Sequence, residues 1–322
     1  MNNITIIILN GGLGNQLFQY SLYLWLKKIG RIAYLFNGWY YLNSTLPHEQ
    51  IKLNYFNVVE NVYINMNEAA YYIDISNYYS FKQLFKAKIK KNLFFQYLVI
   101  KLLRKITNNN NIKYVNKNNI FIDDSDKMYE ELIMNKPNIN YICDGVFARL
   151  NHIVKIIDEL DKKIIFSKKL NEPYVSYYES IKSFTSVAVH VRRGDYVGNA
   201  TRDICNMSYY KNAINILSKK YNNLHFFVFS DDIQYISENF TFLKCYTIID
   251  SINELMSDYF DLFLMTKVNH LILSNSTFSW WGAWLNKSNG KTVIVPDHYH
   301  SDNSWIPIDE IFPSEWIRLP LN

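Results

Sequence analysis

Four short polar stretches carry the residues in this chain whose types and spacing could do chemistry. HVRRGDY sets His190, Arg192, Arg193 and Asp195 close together. A planar guanidinium fork at such a place can grip phosphate oxygens. In extended chain His190 and Arg192 face the same side. The alternative is a surface ion pair between an arginine and Asp195, which is common and weak. SNSTFSWWGAWL sets Ser274, Asn275, Ser276, Thr277 and Ser279 around Phe278, ahead of Trp280, Trp281 and Trp284. Hydroxyls and backbone N–H groups at a helix N-terminus can bind a pyrophosphate. Trp280 and Trp284 share a helix face, which suits core packing that fixes the helix.

The other two stretches are shorter. NGGLGNQ offers Gly11, Gly12, Gly14 and Asn15. Glycines permit positive φ and close backbone approach, and a following helix offers free N–H groups. Leu17 stands where a dinucleotide fingerprint would need its third glycine, and no Gly-Lys-Ser/Thr follows. A tight strand–helix turn is the alternative. SDD places Asp231 and Asp232 after Ser230. Three roles compete: metal ligand, ribose or base acceptor, and helix N-cap. A carboxylate suits guanine, since it accepts from both N1–H and N2–H.

These stretches need elements to position them. Each follows an apolar run of strand length: Ile4 to Leu9, Ser186 to Val191, Leu224 to Ser230, and Leu271 to Ser274. The runs are continuous, which suits parallel strands covered on both faces. A further strand is expected at Thr292 to Val295, and others at Ile120 to Ile122 and Asn140 to Cys143. Helical spacing follows at Leu17 to Trp25 and at about 208 to 221, 252 to 266 and 277 to 286. Strand–helix alternation implies α/β architecture with right-handed crossovers. Open parallel sheets bind ligands beyond the carboxyl ends of their strands. The polar stretch Ser167 to Pro173 reads as a linker, dividing the chain into 1–167 and 168–322.

Composition narrows the partners. The net charge is +5, but residues 75 to 122 hold no Asp or Glu, nine Lys and Arg104. Without that segment the remainder is net negative, so general nucleic-acid binding is excluded. Residues 81 to 106 interleave Phe81, Leu84, Phe85, Ile89, Leu98, Leu102 and Ile106 with lysines. A basic amphipathic helix can rest on an anionic membrane, and a solvated helix face is the competing reading. Cys143, Cys205 and Cys245 show no CxxC spacing, so a zinc site or disulfide framework is not expected. No run approaches the roughly 18 apolar residues of a membrane span. The N-terminal apolar run lacks a cationic leader and does not read as a signal peptide. A cytoplasmic protein, with peripheral membrane contact through 81–106, is the expectation. Asp124 and Asp126 form a short carboxylate pattern that could hold a divalent ion, although Asx-rich turns are commoner. His298 and His300 lack a third ligand. The 26 Tyr and 20 Phe suit a core or a sugar-stacking surface, and composition does not choose.

Taken in order, GGLGNQLFQY, HVRRGDY, FSDD and NSTFSWWGAWL resemble the bacterial α-1,2-fucosyltransferases of glycosyltransferase family 11. YYKNAI (Tyr209 to Ile214) and LFLM (Leu262 to Met265) extend the resemblance, and residues 40 to 140 add little. It implies a GT-B architecture, two Rossmann-like domains facing across a cleft, with the N-terminal one on the acceptor side. It implies inverting transfer of L-fucose from GDP-fucose to the 2-hydroxyl of a galactose-terminated glycan, in O-antigen or capsule synthesis. No cofactor or metal is implied. Arg192 takes the position that contacts the β-phosphate, and Ser276-Thr277-Phe278-Ser279 the position that cradles the pyrophosphate. Gly12, Gly14, Asn15, His190, Arg193, Asp231, Asp232 and Asn275 complete the expected donor-binding set. Asp195 is the candidate base, or else it orients an arginine. Gly145 Val146 Phe147 Ala148 replaces the usual Gly-Tyr-Trp/Phe-Gln stretch, so an aromatic-Gln acceptor contact is not carried over. Rival readings are a metal-dependent glycosyltransferase using Asp124 and Asp126, a nucleotide-dependent oxidoreductase, and a non-catalytic carbohydrate-binding protein.

Overall fold

The computed structural model describes residues 4–38, 40, 50–56, 58, 62–64, 66–69, 119–123, 128–250, 256–302 and 306–321. The basic segment 81–106 and the Asp124–Asp126 pattern lie outside the described residues. The chain forms two compact units, Met1–Ile165 and Phe166–Asn322.

The first unit is built on a four-stranded sheet of order β2-β1-β4-β3, with every pairing parallel. Its strands are β1 (Ile4–Ile8), β2 (Ile32–Phe36), β3 (Asn119–Ile122) and β4 (Asn140–Cys143). Every residue of β1, Ile-Thr-Ile-Ile-Ile, is buried, as a central strand covered on both faces requires. Helix α1 (Leu13–Lys28) follows at once and is buried on almost every side as far as Leu26. Lys27 and Lys28 close it, where cations favour the negative end of the helix dipole. Arg31 is buried and fully used: Nε donates to Thr5 Oγ1 (3.0 Å) and the Nη groups to Pro137 O (3.0 Å) and Ile139 O (2.7 Å). It thereby ties β1 to the chain entering β4. Helices α2 (Tyr129–Asn135), α3 (Leu150–Val154) and α4 (Ile157–Lys163) complete the unit.

The second unit has a six-stranded, all-parallel sheet of order β10-β9-β8-β5-β6-β7. After helix α5 (Tyr174–Ser183) come β5 (Thr185–Val191), α6 (Met207–Lys220), β6 (Leu224–Ser230), α7 (Ile233–Asn239) and β7 (Tyr246–Ile249). Then follow α8 (Ser257–Met265), β8 (His270–Ile272), α9 (Thr277–Leu285), β9 (Val293–Pro296), α10 (Ile308–Ile311) and β10 (Ile317–Leu319). Read from β5, this is the doubly wound strand order 3-2-1-4-5-6. The chain reverses direction across the sheet between β5 and β8, which are direct neighbours.

Alternation along β5 sorts its residues. Val187, Val189 and Val191 pack with Phe226, Val228, Tyr209 and Leu217 in one apolar cluster. His190 therefore points to the opposite face, toward Phe278 of α9, whose ring centroid lies 5.8 Å away. Trp280 and Trp281 of α9 are core, and Trp284 is half-buried beside them. Trp280 stacks on Trp284 at 5.1 Å, meets Trp316 at 5.7 Å, and donates Nε1–H to Ile311 O at 2.9 Å.

Candidate functional site

The switch point between β5 and β8 puts HVRRGDY and SNSTFSWW side by side at the carboxyl end of one sheet. Ligands of open parallel sheets bind there. His190, the last residue but one of β5, joins the two stretches through a 2.8 Å hydrogen bond between Nδ1 and Ser274 Oγ. Burial, then the neighbouring Arg192 charge, pushes its pKa down to about 3. The imidazole is therefore neutral at ordinary pH, with Nδ1 engaged by Ser274.

Arg192 is the centre of the charge array. Its Nη2 donates to Asp195 Oδ1 (2.5 Å) and its Nη1 meets Asp231 Oδ2 (2.6 Å). Burial opposes its charge, but Asp231 and Asp195 outweigh burial and raise its pKa. Asp231 holds the turn as well, because its Oδ1 accepts the Arg193 N–H at 2.8 Å. Gly194 is dictated by that clamp: a Cβ on it would stand 2.5 Å from Asp231 Oδ2. Arg193 turns the other way, its guanidinium 3.8 Å above the Tyr235 ring centroid and 3.8 Å from Asp232 Oδ2. Asp232 caps α7 by accepting the Tyr235 N–H at 2.9 Å.

The loop into α9 supplies amides and hydroxyls. Ser276 is the N-cap, its Oγ accepting the Phe278 N–H at 3.3 Å. Thr277 and Phe278 occupy the first turn and are partly exposed, whereas Ser279 is buried and donates to Ser276 O at 3.3 Å. Asn275 is also buried, and its amide faces inward. Nδ2 donates to Arg202 O (3.0 Å) and Tyr299 O (2.9 Å). It fastens two loops, and its own carbonyl accepts the Tyr196 hydroxyl at 3.2 Å.

The structure thus gathers His190, Arg192, Arg193, Asp195, Asp231, Asp232 and Asn275 to Ser279 at one end of the second sheet. Within that set it gives three carboxylates their partners. Asp231 meets the Arg192 guanidinium with Oδ2 and accepts the Arg193 main-chain N–H with Oδ1. Asp232 is a helix cap. Asp195 lies against Arg192, the orienting alternative. Gly12, Gly14 and Asn15 belong to the first unit, at the start of α1. Gly12 is the N-cap there without a side-chain hydrogen bond, and Gly11 has φ of 72°. Gln16 and Gln19 brace that loop: Gln16 Nε2 donates to Gly11 O (3.1 Å) and Gln50 O (2.7 Å), and Gln19 Oε1 accepts the Asn10 N–H (3.2 Å).

Sequence reasoning missed Tyr196, Arg202 and Tyr235. Tyr196 donates its hydroxyl to Asn275 O at 3.2 Å, and burial pushes its pKa up to about 12. Its place four residues after Arg192, five past the end of β5, was the only signal, and a tyrosine-rich chain hides it. Among the described residues no group of three or more His, Cys, Asp or Glu could hold a metal ion. No described helix is long and apolar enough to cross a membrane.

A doubly wound unit with arginines and a helix N-terminus at its switch point is an α/β unit of the kind that binds ligands beyond the carboxyl ends of its strands. The chain belongs to glycosyl transferase family 11, whose description it matches over residues 3–320. An α-1,2-colitosyltransferase of Escherichia coli is 35% identical over 147 residues, 43% of this chain and 49% of that protein. The alignment therefore spans about half of that relative. The O-antigen biosynthesis glycosyltransferase WbnK of Escherichia coli is 25% identical over 97% of this chain and 99% of its own. The solved fucosyltransferase NodZ from Bradyrhizobium aligns with 12% identity and a TM-score of 0.44, covering 88% of this chain and 94% of that one.

Proposed function

We propose that the protein transfers L-fucose from GDP-fucose to the 2-hydroxyl of a β-galactoside, with inversion, during synthesis of a surface polysaccharide. One observation carries this reading: Arg192, held by Asp231, follows the end of β5, whose neighbour β8 leads into the N-terminus of α9 at the switch point. Breaking the bond between fucose C1 and the β-phosphate oxygen sends its electron pair to the diphosphate. Arg192 and the first amides of α9 would stabilise that charge. The acceptor oxygen attacks C1 from the opposite side, forming the new glycosidic bond as its proton leaves to a base. In this reading Asp195 orients Arg192 and is not the base. Family membership and the relative WbnK, which covers nearly the whole chain, support the sugar-transfer class and the polysaccharide setting.

A second reading keeps GDP and changes the sugar. The colitosyltransferase relative favours a deoxy analogue of fucose as donor. Incubation with GDP-fucose or GDP-colitose and a panel of β-galactosides, with and without EDTA, separates the cases once the product linkage is determined. A 2-linked fucoside formed in EDTA is the expected result. Transfer from GDP-colitose alone selects the second reading, and loss of transfer in EDTA selects a metal-dependent enzyme. No transfer from either donor overturns the proposal.

A further inference from the structure

Arg192 does not carry a free positive charge. It lies between Asp195 (2.5 Å) and Asp231 (2.6 Å), so the three groups together are net negative. Arg193 faces Tyr235 and Asp232. A diphosphate leaving group adds further negative charge to this cluster, and a second cation must reach it. The residue placed to do so is Arg202. Its Nη1 faces the other oxygen of Asp195, Oδ2, at 3.8 Å. Arg192 and Arg202 also share one aromatic ring: their guanidinium carbons lie 5.6 Å and 5.9 Å from the Tyr196 centroid.

The backbone around Arg202 is tied down, and its side chain reaches solvent. Asn275 Nδ2 holds Arg202 O, Ser301 N–H donates to Thr201 O (3.0 Å), and Ser301 Oγ donates to Ala200 O (2.8 Å). The Arg202 side chain is 45% exposed. Tyr196, whose hydroxyl reaches Asn275 O, sets the spacing between the two guanidiniums and the loop into α9. A carboxylate bridging two guanidiniums uses the same donors as a phosphate oxygen would. We propose that Arg202 is a second diphosphate-gripping residue, and that Asp195 holds both arginines where the nucleotide's phosphate oxygens replace its own.

This inference rests on the GDP-sugar reading, and the test separates the two. GDP and GMP affinities are measured by calorimetry for the wild type, Arg202→Ala and Arg202→Lys. The wild type should prefer GDP to GMP. Arg202→Ala should lose about 10- to 100-fold in GDP affinity, the range for a charge-assisted hydrogen bond, with GMP affinity changed less than about twofold. Arg202→Lys should recover part of the loss. Retained GMP binding shows that the variant is folded. Equal weakening of GDP and GMP, or an unchanged GDP preference, overturns the role of Arg202 alone. A wild type that binds neither nucleotide overturns the donor reading and this inference with it.

Discussion

Asp231 holds Arg192 through Oδ2 at 2.6 Å, and through Oδ1 it holds the main chain of the next residue at 2.8 Å. One carboxylate fixes both a guanidinium and the turn that presents it. Asp231→Asn keeps an acceptor for the Arg193 N–H and removes the charge. Its kcat/KM for the donor should fall about tenfold, a single tenfold step being about 1.4 kcal/mol. Arg192→Ala should fall about 100- to 1000-fold, the range for removing one donor to a developing oxyanion. Steady-state kinetics with GDP-fucose decide the order. An Arg192→Ala enzyme as active as Asp231→Asn would remove Arg192 from the phosphate.

Gly194 gives an independent handle on the same clamp. A methyl group there would stand 2.5 Å from Asp231 Oδ2. Gly194→Ala should therefore push the carboxylate off Arg192 and lower donor kcat/KM about as much as Asp231→Ala. The two losses should not add, because both act through one contact. A double variant that loses the full product of the single effects would show that Gly194 matters for another reason.

Much of this site was legible because it sits at strand ends. The continuous apolar runs marked parallel strands, and the polar residues after them marked the ligand side. Asn140–Cys143 and Leu224–Ser230 are strands as their sequences suggest, and β5 begins one residue earlier than expected, at Thr185. What stayed hidden was pairing. Sequence offers Asp231 and Asp232 as equivalent, and only the turn after β6 aims one at Arg192 and makes the other a cap. Asn275 is in the donor-binding set that the resemblance implies, and its structural partners could not be read from its neighbours. Its burial beneath two loops, from residues 202 and 299, depends on chain segments distant in sequence. Arg202 carried no local motif at all.

Two buried histidines make acid stability a test of the packing. Burial first, with nearby positive charge second, pushes His190 and His152 down to about 3. His152 is enclosed by Ser21 Oγ (2.9 Å) and Tyr129 OH (2.7 Å). In the unfolded chain each returns to a pKa near 6.5. Between about 6.5 and 3 the unfolded state binds more protons, so stability falls as pH falls. The slope for each histidine approaches about 1 kcal/mol per pH unit below its unfolded pKa, and vanishes above it. Urea midpoints at pH 7, 6 and 5 should drop mainly between the last two. His190→Asn should lower the midpoint at pH 7 and shallow the drop from 6 to 5. An unchanged slope in that variant would mean that His190 is protonated in the fold.

Trp280 links the helix that follows the Ser274–Ser276 loop to Ile311 and Trp316, so it should separate stability from binding. Its ring stacks on Trp284, meets Trp281 edge-on at 5.1 Å, and lies beside Trp316, which packs on Phe312 at 5.9 Å. Its N–H satisfies Ile311 O, where α10 ends. Trp280→Phe keeps most of the packing and orphans that carbonyl, which should cost about 1–3 kcal/mol. Trp280→Ala opens a cavity under α9 and should cost about 3–5 kcal/mol. Because Ser276 to Phe278 begin the same helix, the alanine variant should also weaken GDP binding, by relaxing the helix start. The phenylalanine variant should melt earlier yet bind GDP within about twofold of wild type, since the stacked rings still set the position of α9. Thermal melts and GDP titrations on both variants read the two effects separately. A Trp280→Phe protein that loses GDP affinity without losing stability would place this ring in the ligand site and not in the core.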